Sequence, residues 1–261
     1  MLQAPNDSPY DLRFQFLGFP VRISWSFWIG AIIFVHQLAQ SFDRGFQELS
    51  PGMGPLLVTW VACLFVSILI HELGHALAFR QFGIYSTVVL YHFGGLAIPI
   101  GTSMPGRSIG RIPPRQDLWI TFAGPLAQFV SAIVVMVLLR VLNYQIPDIG
   151  LGIHELPGIS DGEKKLSPPM YAAAYMYLWP SVFWAFLNLL PVLPLDGGRI
   201  AQALILIFGG TRLQALWLSV ITAALVGGYA FTNDHTFMGF FFLMFGVGCF
   251  QQIQQSGGWR Y

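Results

Sequence analysis

Six long apolar blocks constrain this chain more than any other feature of its sequence. Each is about 18–25 residues, enough to cross roughly 30 Å of hydrocarbon at 1.5 Å per residue. They lie near residues 23–40, 55–81, 117–141, 170–193, 213–231 and 236–252. A composition of 55% hydrophobic and 10% charged residues could also describe one large dry core, but the blocked distribution excludes that. The expected fold class is therefore an all-α polytopic membrane protein with about six transmembrane helices. The net charge of +1 leaves no electrostatic footprint for nucleic acid. Cys63 and Cys249 lie inside apolar blocks without metal-ligand spacing and read as packing residues.

The first block lacks a strongly basic start and is followed by an acidic loop rather than a small-residue cleavage site. It reads as a retained helix, not a cleaved signal peptide. Residues 200–208 are apolar but too short to cross, and ending at Gly209-Gly210 they are expected to lie in the interface. Counting them as a seventh span is the competing reading. With six spans, Arg13, Arg22, Arg80, Arg107, Arg111, Arg115, Arg199, Arg212 and Arg260 share one side. Arg44, Arg140, Lys164 and Lys165 share the other, together with Asp43, Glu48, Asp148, Glu155, Asp161 and Glu163. The basic excess places both termini in the cytoplasm, and in a bacterium the membrane would be the plasma (inner) membrane. Between residues 84 and 100, β-branched and aromatic residues around Gly94-Gly95 predict a short β-hairpin on the cytoplasmic side. Residues 88–98 are rich enough in β-formers to offer an edge strand. The expected layout is an N-terminal cytoplasmic segment over 1–22, a single membrane domain over 23–253 and a C-terminal tail over 254–261.

The second block contains what a membrane helix should exclude. It reads SILIHELGHALAF, and His71, Glu72 and His75 would each cost on the order of a few kcal/mol in hydrocarbon if left unpaired. Their spacing supplies the pairing. Positions i and i+4 of a helix share a face about 6 Å apart, so both imidazoles can reach one metal ion. Glu72 can then face a metal-bound water and take its proton, as in other helical H-E-x-x-H sites. The bland alternative, a chance match, requires three desolvated polar groups without a purpose.

A catalytic zinc centre usually takes three protein ligands. The fourth block ends NLLPVLPLDGGR, where Pro191 and Pro194 prevent regular helix and Gly197-Gly198 loosen the chain after Asp196. Irregular backbone at membrane depth survives only when buried in protein or lining a wet cavity, which makes Asp196 a candidate ligand. Capping the short helix that follows is its other reading. The second and fourth spans run in the same direction and carry their motifs near the same inner end. That common depth favours one site.

These motifs resemble the site-2 protease family of intramembrane zinc metalloproteases. The resemblance is carried by His71-Glu72-Leu73-Gly74-His75 and by the N-x-x-P-x-x-x-L-D-G-G run over 188–198. FAGPLA (122–127) and HFGGLAIP (92–99) are similar to the family's intervening elements. The resemblance implies one Zn2+ per chain held by His71, His75 and Asp196, with Glu72 as general base. It implies that Asn188 positions substrate or stabilises the tetrahedral intermediate, and that Gly124-Pro125 packs the third span against the catalytic helix. Gln128 stands where members often carry Asn. The 23–253 domain would then be a metalloprotease that hydrolyses membrane-anchored, typically single-span protein substrates within or next to the lipid bilayer. Many members carry PDZ or CBS domains, for which this chain has no room, so regulation would come from loops, partner proteins or lipid. A transporter with a His/Glu/Asp ion path predicts polar residues spread through the depth and paired repeats, neither of which occurs. An inactive scaffold of the same fold is disfavoured because base and ligands are all present. Of the remaining histidines, His36 is expected to bond a neighbouring helix, His92 to sit in the hairpin, and His154 and His235 to be solvated.

Overall fold

A computed structural model of the chain describes residues 5–92, 94–102, 110, 112–150 and 162–257. Arg107, Arg111, His154, Glu155, Asp161 and Arg260 lie outside them. Two strands come first, β1 (Leu12–Phe16) and β2 (Phe19–Ile23), followed by α1 (Trp25–Phe46) and α2 (Met53–Gln81). Then come β3 (Ile84–Tyr91), β4 (Gly94–Thr102), α3 (Pro114–Val141), α4 (Pro168–Asn188) and α5 (Asp196–Ile207). The last two helices are α6 (Arg212–Thr232) and α7 (Thr236–Gly257).

A helix lies in every apolar block, though α4 stops short of the end of the fourth, and the molecule is an integral membrane protein. Among the described residues four helices are long and apolar enough to cross a bilayer: α2, α3, α6 and α7. α1 and α4, at 22 and 21 residues, have the length. Their apolar character is diluted, in α1 by His36, Gln40, Asp43 and Arg44, in α4 by three prolines and three tyrosines. The short helix α5 starts at Asp196 itself, four residues earlier than the sequence suggested.

The expected hairpin is β3–β4, but it belongs to a larger sheet. The order is β1-β2-β3-β4, with β2 running parallel to β3 through Val21↔Val88 and Ile23↔Leu90. Phe19, Val21 and Ile23 point into the core shared with α1 and α2. The expected boundary at 22/23 thus falls inside β2, and residues from Leu12 onward belong to the folded body. At the other end α7 continues past residue 253.

The rest of the molecule is arranged around α2. Its first half buries Leu56, Trp60, Leu64, Ser67 and Ile68, a stripe at helical spacing. From His71 to Ala76 every residue is buried, because α3, α4, β3 and β4 close around that stretch. Gly74 lets α3 approach; a side chain there would overlap Ala123 and Ala127. Small residues commonly serve this purpose between membrane helices. α6 and α7 pair with each other, and Phe242 and Phe245 of α7 pack on Val192 and Leu195 of the turn between α4 and α5. That contact braces the segment carrying Asp196.

Candidate metal centre

His71 and His75 project from one face of α2 with their Nε2 atoms 3.1 Å apart. Asp196 Oδ2 lies 3.0 Å from the first and 3.3 Å from the second. The three atoms form a nearly equilateral triangle. Donors bound tetrahedrally at 2.0–2.1 Å from an ion stand about 3.3–3.4 Å from one another, so the spacing suits a small divalent metal. The far ring nitrogens agree. His75 Nδ1 is 2.7 Å from the Ile120 carbonyl oxygen, which can only accept, so the neutral ring carries its proton on Nδ1 and its lone pair on Nε2. His71 Nδ1 is 2.9 Å from Gln128 Oε1 and is matched in the same way. Two lone pairs and a carboxylate converging in a buried site repel one another unless a cation lies between them. The donor set therefore fits a metal ion.

Asp196 reaches the histidines because α4 stops at Asn188 and the chain turns back before α5 begins. It is the first residue of α5, and its carboxylate faces the imidazoles instead of capping the helix. Gly197 and Gly198 do not loosen this segment as expected. Any side chain on them would overlap backbone at Leu189, Leu190, Val192 or Leu193, so their role is close approach. Arg199 donates to Asp117 at 2.6 Å and ties α5 to α3.

A cavity of about 100 Å³ opens beside the three donors. His71, Glu72, His75, Asn188 and Asp196 all line it, together with Trp184, Arg199 and the start of β4. Glu72 accepts a hydrogen bond from the Ala97 backbone N–H. Gly95 lies over Glu72 so closely that a methyl group would meet the carboxylate, and a methyl on Gly124 would meet the His75 ring. On β3, burial and the charge of Glu72 push the Tyr91 phenol up to about 12, so it stays protonated.

All five residues singled out in the sequence thus meet in one place. Sequence reasoning left the role of Gln128 open and missed the other supports: Ser67 and Ser181 behind His71, the Ile120 carbonyl behind His75, and Ala97 beside Glu72. The available signal was a polar residue inside an apolar span, with Ser67 one turn before His71. His36 is exposed on α1. His92 sits in the hairpin turn with Nδ1 3.0 Å from Ser26 Oγ, and His235 is exposed. Cys63 and Cys249 are free thiols.

The model of peptidase family M50 matches residues 59–228, from within α2 to within α6. The chain belongs to peptidase family M50. Both halves of the metal centre fall inside the matched stretch. A zinc metalloprotease of Methanocaldococcus jannaschii is 25% identical to this M50 chain over 201 residues, covering 75% of the chain and 46% of that protein. The chain spans about half the length of the curated relatives it matches. Among solved structures, the site-2 protease from Methanocaldococcus jannaschii matches with a TM-score of 0.53 at 22% identity, covering 94% of this chain and 95% of its own. The shared fold agrees with the family read from the motifs.

Proposed function

We propose that this M50 chain is an intramembrane metalloendopeptidase, holding one Zn2+ through His71, His75 and Asp196, that hydrolyses peptide bonds of membrane-anchored proteins within or next to the bilayer. The observation that carries this reading is the convergence of three donor atoms beside Glu72 in one cavity. The name of a relative specifies zinc, and two imidazoles with one carboxylate suit that ion. When bound, zinc supplies a Lewis acid that polarises the scissile carbonyl and lowers the pKa of water towards 7. Glu72 takes the proton of the attacking water and returns it to the leaving amine. Asn188 offers an amide that orients the substrate or donates to the developing oxyanion.

A helical substrate hides its scissile bonds, so it must be extended before attack, and β4 offers the edge for this. The Leu90 carbonyl accepts from Ser24 N–H at 2.8 Å on the far side of β3. Leu90↔Gly95 is then a non-hydrogen-bonded pair of the antiparallel ladder, as is Val88↔Ala97, and Gly95 and Ala97 turn their backbone groups towards the cavity. The edge is confined to β4, because residues 88–90 are held between β2 and β4. The reading is completed by six crossings, with α1 and α4 included, both termini and the sheet on the cytoplasmic side, residues 142–169 outside, and a single-span protein as substrate. The body from β1 to α7 acts as one metalloprotease domain.

The test is cleavage of a single-span protein by the purified chain in liposomes. Chelation is expected to stop cleavage and added Zn2+ to restore it. Undiminished cleavage by metal-stripped protein would overturn the proposal, as would Zn2+-loaded protein that conducts ions but leaves the substrate intact.

A further inference from the structure

A chain of buried hydrogen bonds runs through three helices and ends on a metal-binding side chain. Ser181 Oγ of α4 donates to Ser67 Oγ of α2 at 2.8 Å, and Gln128 Nε2 of α3 donates to the same oxygen at 2.8 Å. The other end of the Gln128 amide, Oε1, is 2.9 Å from His71 Nδ1. Ser67, Gln128 and Ser181 are all 0% exposed, so no solvent completes or competes for these bonds. Ser67 and His71 are four residues apart on one face of α2, about 6 Å from each other, and the Gln128 carboxamide spans that gap.

The order of the two amide ends matters. A carboxamide is nearly symmetric in shape but donates at one end and accepts at the other. Reversed, it would present N–H to His71 Nδ1, and the imidazole would have to answer with a lone pair there. Its proton would then sit on Nε2, the atom that points to His75 and Asp196. Ser67 Oγ accepts from both Ser181 Oγ and Gln128 Nε2, so it stands as an acceptor towards the amide. We infer that Ser181, Ser67 and Gln128 form a positioning relay that fixes the amide direction and so holds His71 in the tautomer whose Nε2 is free for metal. His75 needs no relay, because the Ile120 carbonyl imposes its tautomer directly. The inference rests on the metal-site reading above.

Cobalt titration of the metal-stripped, detergent-purified full chain tests it, read by Co2+ d–d absorption. Replacing an outer partner of a metal-bound histidine typically costs 10–100-fold in affinity, and Gln128→Leu should fall in that range. Gln128→Glu keeps an acceptor against Nδ1 and should stay near the wild-type value. Ser67→Ala touches no ligand, yet it frees the amide to reverse and should weaken binding by about tenfold, while Ser67→Thr restores it. Wild-type affinity in Gln128→Leu or Ser67→Ala overturns the relay. So does equal loss in Gln128→Glu and Gln128→Leu, or a loss in Ser67→Ala that threonine does not repair. Wild-type protein that takes up no Co2+ overturns the metal site itself, and the relay with it.

Discussion

Glu72 and Asp196 share a cavity but are assigned different tasks, and single substitutions separate them. Glu72→Gln keeps size and polarity, leaves the three donors in place and cannot accept a proton. It should bind about one metal per chain while losing general-base catalysis, typically 10²–10⁴-fold or more beside a metal-activated water. Asp196→Ala removes a donor and its charge, so metal content and activity should fall together. Metal analysis beside cleavage assays decides; full activity in Glu72→Gln would dismantle the hydrolytic mechanism. Gly124→Ala is informative in another way, since the added methyl would meet the His75 ring. It should lower metal content with all donors and the base still present, at an overpacking cost of about 1–3 kcal/mol visible in thermal unfolding. The ligands were legible in the sequence because charged groups inside apolar helix are costly and their spacing has one obvious use. The roles of Gln128 and Ser67 were not, because an uncharged polar residue in a span is cheap enough to have many explanations. Only the fold brings Ser181, 114 positions from Ser67, into the same network.

At the scale of elements, β4 carries the proposal most open to test. Ala97→Pro removes an N–H that faces the cavity and leaves the ladder to β3 whole, a placement edge strands tolerate. Losing one such bond should slow cleavage of a membrane-anchored protein by about tenfold with metal content unchanged. A short flexible peptide, which needs no extending, should be affected less. Equal loss on both substrates would trace the effect to the Ala97–Glu72 hydrogen bond and count against strand addition. Leu96→Pro should instead damage the fold, because its N–H belongs to the ladder, a difference that melting temperatures would register. The β3–β4 pair was readable from its residue types around two glycines. The other half of the sheet was not, since five-residue strands such as Leu12–Phe16 and Phe19–Ile23 carry little pattern of their own. They are recognisable as strands once β3, more than sixty residues away, supplies β2 with a parallel partner and β2 in turn pairs with β1.

For the molecule as a whole, the six crossings proposed above would place residue 110 and residue 165 on opposite sides of the membrane. Single cysteines replacing Gly110 and Lys165, in a chain lacking Cys63 and Cys249, should label from opposite faces with an impermeant reagent. Labelling from one face would remove the even count and the shared depth of the two motifs. The six helices were visible in the sequence because hydrocarbon thickness sets a length that few other pressures impose, but the polar and aromatic content of α1 and α4 leaves their crossing to the proposal. One further consequence follows from the connectivity of the centre, in which two donors lie on α2 and the third on α5. About 120 residues separate His75 from Asp196 in the chain. At a synthesis rate of about 5–20 residues per second, roughly 6–24 s pass between the translation of the two motifs. During that interval the nascent chain lacks the third donor, and any chain that stalls before residue 196 stays that way. The hydrolytic centre proposed for this chain therefore cannot exist until Asp196 has been translated, about three quarters of the way along the sequence.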